Sequence, residues 1–485
     1  MHAARFLFFT IAVVGLVACN EPLANRAAAP LTRTEQLTQI GSCPAHATLV
    51  VATEGDLENA LQVAAPGDTI AVSGTIAVDQ PELDVATNNL TITCASPGSG
   101  LAVASGAAPS RLLVVLAAGV TVQGLALDAR GTTSGAYLAF FDGTDAFASN
   151  EHFIGNHVTC GAVDEACVYF ALEGAPGVIA ASNVIINGGV GRGIHLEGVA
   201  GGAVTRNTVI GADTGFGGIV ISGGGGIGVD NDTVRGAWTI AMLVNQAADA
   251  VTIEQSAFSG GSFATIRLVD LTNFLFRGNT VTCTAICFEM FGSAGARVLG
   301  NRVTATGAIT GIDVEPHNAL VTDGTTVDDN TVQALSPSGI LGEGGIHVST
   351  GAGLTVTNNI VLGPWVNSMA LTFLNGSTVE GNRLIGSAGA GIAFTTDTAT
   401  LPITFTGDTV KNNVIAAWSS AGISIQSACR NFLAGNVAEG RGPVDVLLTA
   451  TTGANRVVAS ARSVVDQGAV DCDGDGITDP NVIGR

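Results

Sequence analysis

Arg267, Glu289, Asp313, Glu315 and His347 are the side chains best equipped for chemistry, in a chain where only 12% of 485 residues are charged. A carboxylate beside an imidazole orients the ring as a general base. Two neighbouring carboxylates cannot both ionise cheaply, so one keeps a proton or a cation sits between them. An arginine among them adds a fixed positive charge. Acid, base and electrostatic anchor together are parts for chemistry on a sugar. The five lie far apart along the chain, with Asp313 and Glu315 in one repeat and the others in their own, so they meet only if the chain winds in a regular step.

That step is visible. An Asn-x-apolar signature recurs at Asn156, Asn183, Asn207, Asn279, Asn301, Asn330, Asn359, Asn382, Asn413 and Asn436, with Asp232 and Ser256 filling two gaps in register. The mean spacing is about 25 residues, a solenoid period. A Gly-rich turn and a short alternating strand follow, as in GIHLEG (193–198), GIDVEP (311–316), GIHVST (345–350) and GISIQS (422–427). Period-two alternation turns Ile194/Leu196, Ile219/Ile221, Ile286/Phe288, Ile312/Val314, Ile346/Val348, Ile392/Phe394 and Ile423/Ile425 inward. Asn at each corner tolerates left-handed backbone and can bond to its copy one coil on.

The pattern resembles the right-handed parallel β-helix superfamily with the pectin-lyase-like fold, over roughly residues 46–465. It implies an all-β right-handed parallel β-helix solenoid of about 12–14 coils. An open solenoid needs caps. In EGDLENALQVAAPGD (54–68), Leu57, Ala60, Leu61 and Ala64 follow helical spacing and Pro66-Gly67 ends the helix, which predicts a short N-terminal capping helix. Residues 444–470 are expected to cap the other end.

Stacking the outward positions in register gives two columns. The first contains His195, Val220, Arg267, Cys287, Asp313 and His347. The second contains Glu173, Glu197, Val269, Glu289, Glu315 and Ser349. Asp313 and His347 are expected to be vertical neighbours, as are Glu289 and Glu315. The long repeats beside them must bulge as loops, with His317 at the mouth of one, and could wall a groove. His195 with Glu197 forms a smaller candidate, more simply read as a satisfied surface pair. GIDVEPHN (311–318) resembles the Asp-Pro-His-Glu signature of β-helix uronate epimerases with the residue order changed. Trp238, Trp365 and Trp418 share one corner; they are spaced too sparsely for a sugar track and are expected to pack against loops.

Arg5, the apolar Phe6–Val17 and LVAC (16–19) read as a secretory signal ending in a sequence that resembles a bacterial lipobox. The resemblance implies cleavage before Cys19, lipidation of its sulfur, and a tether over 19–42 ahead of the solenoid at 43–470. The expected location is the cell envelope of a bacterium, at the outer membrane or cell surface, with the membrane touched through the lipid alone. The remaining eight cysteines suggest four disulfides in an exported chain. Sequence order pairs Cys43 with Cys94, Cys160 with Cys167, Cys283 with Cys287, and Cys429 with Cys472.

Residues 471–479 read DCDGDGITD. Asp471, Asp473, Asp475 and Asp479 have the spacing of a calcium loop, with the Ile477 carbonyl as a further oxygen. The segment resembles one type 3 thrombospondin repeat, which implies calcium as a ligand of the tail at 471–485. Lys+Arg number 19 against 40 Asp+Glu, a net charge of −21, so nucleic acid is repelled. The expected partner is a polysaccharide or surface glycan, met by a monomer. One reading is a lyase, hydrolase or epimerase working through Asp313, His347, Glu315, Glu289 and Arg267. The other is a non-catalytic glycan-binding, structural or adhesive surface protein.

Overall fold

The computed structural model describes residues 43–484 except 45, 108–110, 131–134, 144–147, 162, 173–175, 247–248, 308, 318–321, 336–343, 396–404, 440–441, 459–462 and 474. The signal segment 1–18, Cys19 and the tether 19–42 lie outside the described residues. So do Glu173 and parts of the long loops beside the charged cluster.

The chain winds as a parallel β-solenoid of about 16 turns with one helix among the described residues. Among the described residues the strands form one parallel sheet of 18 strands, another of 31, and an antiparallel pair, Ala469–Val470 with Asp479–Pro480, at the foot of the acidic loop. The larger sheet takes in two faces, because long strands such as Thr208–Ser222 and Thr233–Asn245 run through the corner between them. The turn count exceeds 12–14 because the early turns do not carry the Asn signature. His157, Ala126 and Gly100 stack in register, so the position of Asn156 is taken by Leu125 and Ser99 in the two turns before it, and Ser99 Oγ accepts the Gly74 N–H as a ladder residue does.

Inward side chains stack like upon like. Ile194, Ile219, Met242, Ile266, Phe288, Ile312 and Ile346 follow one another at matched positions, each 0% exposed. Burial of such side chains contributes about 1.5–3 kcal/mol each, an upper bound against an extended chain. Ile286 departs from expectation. It is only half-buried, and Phe288 and Met290 take the inward places.

The capping helix spans Glu54–Val63, with Thr53 Oγ1 accepting the Asp56 N–H and Leu57, Ala60 and Leu61 buried. Glu54 reaches forward and accepts the N–H groups of Asp79 and Gln80, which ties the cap to the next turn. At the other end the stack continues through Val444–Leu448 and Val464–Asp466. Val482–Gly484, beyond the acidic loop, then pairs in parallel with Arg456–Val458. The four expected disulfides are all formed.

The Asn signature is a hydrogen-bonded ladder. Asn156 N–H and Nδ2 donate to Asn183 Oδ1 at 2.9 and 3.2 Å, and Asn183 donates likewise to Asn207. The series runs on through Asp232 and Ser256 to Asn436. The left-handed backbone sits one residue earlier than expected. Ser182, Arg206, Asn231, Asp329, Asn358 and Asn412 carry positive φ, and glycine does so at 155, 278, 300, 381 and 435. The ladder residue itself keeps ordinary φ, because its side chain must point into the corner to reach its copy.

A second ladder lines the opposite corner of the 18-stranded sheet. Leu354 N–H donates to Ser377, Ser377 to Asp408, Asp408 to Asn431, Asn431 to Asn455, and Asn455 to Asn481. Its residue types change from row to row, so no repeat signature announces it.

Candidate functional site

Arg267, Glu289, Asp313 and His347 occupy one outward column in four consecutive turns. Period two keeps each facing outward, and the strand spacing of about 4.8 Å sets them side by side. Asp313 and His347 are vertical neighbours as expected. Glu289 is not the neighbour of Glu315: it pairs with Arg267 on one side and Asp313 on the other, and Glu315 stands opposite Phe291. Cys287 leaves the column and is buried. The difference is a slip of two residues, which keeps every side chain on its own face, so alternation alone cannot detect it. The same slip puts Tyr169, not Ala171, beside His195.

Arg267 Nη1 donates to Glu289 Oε2 at 2.7 Å. The guanidinium lies over the rings of Phe263 and Phe291, about 5 Å from each centroid, which limits the directions it can point. Burial pushes the Glu289 carboxyl up to about 7, against the pull of Arg267 and with the Asp313 charge assisting. Such a group exchanges a proton near neutral pH.

His347 Nδ1 lies 2.7 Å from Asp313 Oδ1 and 3.5 Å from Glu315 Oε1. Nε2 of the ring lies 3.4 Å from Thr372 Oγ1. The Asp313 and His347 side chains are 8% and 7% exposed, and Glu315 is 29% exposed. The open side of the group is therefore the Glu315 side.

A pair not singled out as a site from sequence stands next to this column. His317 Nδ1 bonds Asp270 Oδ1 at 2.8 Å, spanning 47 positions of sequence, with its ring 6.0 Å from that of Phe291. The available signal was its place two residues past Glu315. His195 and Glu197 do not form the surface pair expected of them: His195 is buried, and each is satisfied by a different partner. Tyr169 stacks on His195 at 4.6 Å and 5°, its hydroxyl donates to Glu197, and His195 Nε2 meets Ser222 at 3.2 Å. Burial holds the His195 imidazole down to about 3, so the ring is neutral.

The three tryptophans are 1%, 2% and 5% exposed, and their indole N–H groups donate to the carbonyls of Arg235, Leu362 and Val444. They are packed into the corner as expected, so they offer no platform.

At the C-terminal loop, carboxylate oxygens of Asp471, Asp473 and Asp479 lie within 4.8 Å of one another. Asp475 is outside that group, and its Oδ1 accepts the Ile477 N–H. Asp471 accepts the N–H groups of Asp473 and Gly476, and Asp479 accepts that of Cys472. Three convergent hard oxygens on a backbone curved through Gly476 (φ +85°) fit a calcium ion.

A continuous parallel winding with a stacked Asn corner defines a right-handed parallel β-helix. The sequence model of the right-handed β-helix region matches residues 166–332 and 310–461, more than half of the chain, and the chain belongs to that family. No curated protein matches it by sequence. Among solved structures, DFA-IIIase from Arthrobacter chlorophenolicus A6 in complex with GF2 is similar at 12% identity and a TM-score of 0.34, over 68% of this chain and 83% of that one. The A-module of the mannuronan C-5 epimerase AlgE6 from Azotobacter vinelandii is similar at 11% identity and a TM-score of 0.34, over 87% and 98%. The Dettilon tailspike protein gp208 is similar at 15% identity and a TM-score of 0.35, over 59% and 62%. Likeness at this level describes the winding and carries nothing about chemistry.

Proposed function

We propose that this protein is directed at an extracellular polysaccharide, with the outward column of Arg267, Glu289, Asp313 and His347, flanked by Glu315, as its working face. The observation that carries the reading is the unbroken file of four ionisable side chains in a chain where charge is scarce. Arg267 anchors an anionic or hydroxyl oxygen of the sugar, Glu289 supplies a proton, and the His347–Asp313 pair accepts one. That assembly suits a lyase, hydrolase or epimerase. The burial of Glu289, Asp313 and His347 favours a second reading, in which the face holds a glycan without turning it over. A glycan array followed by product analysis separates the two: new reducing ends, unsaturated sugars or inverted C-5 centres mark an enzyme, and binding without product marks a lectin-like or adhesive protein. A chain that binds no glycan and forms no product overturns both.

The protein is further proposed to be an exported bacterial lipoprotein, cleaved before Cys19 and held by lipid at the cell envelope, on the outer membrane or cell surface. The apolar run followed by Leu16-Val17-Ala18-Cys19 supports this. Calcium is proposed as a ligand of Asp471, Asp473 and Asp479, where it would fix the last turn of backbone before the closing strand Val482–Gly484.

A further inference from the structure

The trio Asp313, Glu315 and His347 has more in common with a metal site than with a simple base. We propose that it binds a divalent first-row transition ion through a carboxylate oxygen of Asp313, a carboxylate oxygen of Glu315, and Nδ1 of His347. This inference rests on the reading of the column as the working face and names a cofactor for it.

Three observations converge. The first is geometric. One ligand atom from each residue lies within 4.8 Å of the other two. Asp313 and Glu315 stand two apart on the strand Ile312–Glu315 and so share a side, and His347 pairs directly with Asp313 from the next turn. The ring is thereby placed with Nδ1 towards both carboxylates. The second is charge. Two carboxylates and one imidazole are donors whose type and sign a first-row dication matches. The third is the outer contact. With Nδ1 coordinated, Nε2 carries the proton and donates to Thr372 Oγ1, 3.4 Å away, which lies 3.4 Å from Thr395 Oγ1. Metal-bound imidazoles are commonly held by such a second hydrogen bond, which sets ring orientation.

The imidazole sets this site apart from the all-carboxylate loop of Asp471, Asp473 and Asp479. Mixed nitrogen and oxygen donors suit zinc and its first-row neighbours, whereas oxygen alone suits calcium. Three protein ligands leave further positions on the ion, and the partly exposed Glu315 marks the side from which a sugar oxygen would enter. A ring committed through Nδ1 no longer takes part in proton transfer. The loaded site therefore works by attraction on sugar oxygens, and the metal-free site by the His347–Asp313 pair.

The test is zinc titration of the metal-stripped full chain by calorimetry, with metal content read independently after dialysis, and cobalt(II) as a spectroscopic probe. One zinc per chain is expected, abolished by His347→Ala and weakened at least about tenfold by Glu315→Gln. Glu315→Gln keeps the shape while removing the charge and one acceptor oxygen at a partly exposed position, so it decides the matter if His347→Ala does not fold. Zinc uptake that is absent, or equal in the native chain and both variants, overturns the metal site. Glycan binding by the metal-stripped and the zinc-loaded chain is measured in parallel. Binding without zinc uptake sinks the metal site alone, and zinc uptake without glycan binding sinks the glycan reading alone.

Discussion

His347 and Asp313 are 34 positions apart in sequence, yet their Nδ1 and Oδ1 atoms lie 2.7 Å apart because one turn of the solenoid lies directly on the next. On the metal-free chain, Asp313→Asn removes the nearer of the two carboxylates that face Nδ1, and His347→Ala removes the base. Each is expected to lower turnover of the responsive polysaccharide by about a hundredfold. Initial rates check this, with thermal melting to confirm that the fold survives. Rates equal to those of the native chain would place the chemistry elsewhere.

Asp232 occupies an asparagine position in the first ladder, and burial pushes its carboxyl up to about 8. Its protonated form can donate into the corner as the Asn207 amide does to Ala180 O. Below about pH 4, folded and unfolded chains both hold this proton. From there to about pH 8 the unfolded chain releases it and the folded chain keeps it, so the fold loses stability as pH rises. Asp232→Asn removes that slope. The variant should match the native chain near pH 4 and exceed it by at least about 1 kcal/mol at pH 8, as read from urea unfolding at the two pH values.

Trp238 is fully enclosed, with its N–H donating to Arg235 O at 2.9 Å. Trp238→Ala is expected to cost about 3–5 kcal/mol of stability. Glycan affinity per folded molecule should not change. A variant of native stability that loses glycan affinity would restore the tryptophan as a platform.

Calcium binding at Asp471, Asp473 and Asp479 should raise the melting temperature of the full chain. Calcium at a hundred times its dissociation constant adds about 2.7 kcal/mol to a fold that binds it only when native. Asp473→Asn should remove most of this response. A calcium-independent melt in the native chain would leave the loop a hydrogen-bonded acidic turn.

Cys19→Ala should abolish labelling by a radioactive fatty acid in a bacterial host and release the chain from the membrane fraction. Fatty-acid labelling that persists in this variant would rule out Cys19 as the lipidated residue.

The ladder and the inward stacks were legible because each repeats a residue type at a fixed step, the cap helix because its apolar residues keep helical spacing, and the Asp313–His347 contact because both residues follow the same Gly-Ile turn. Glu289 was legible as a site residue but not in its place. Ile286/Phe288 and Phe288/Met290 are equally apolar, and a slip of two leaves the faces unchanged. The Asp270–His317 bond was hidden for another reason: it skips a turn, reaching past Phe291, and no spacing rule joins residues two coils apart. The second ladder mixes Ser, Asp and Asn, so its rows share a hydrogen-bonding duty without sharing a residue type.

The two corner ladders overlap only over rows from Leu354 to Asn436, and the turns before Asn156 have Leu125, which interrupts the ladder, and Ser99, which offers one hydroxyl where an amide would stand. Resistance to peeling is therefore graded from one winding of the solenoid to the next. Pulled from both ends, or offered to a protease, the barrel of early windings should give way first as a separate step, held back there chiefly by the Cys43–Cys94 crosslink.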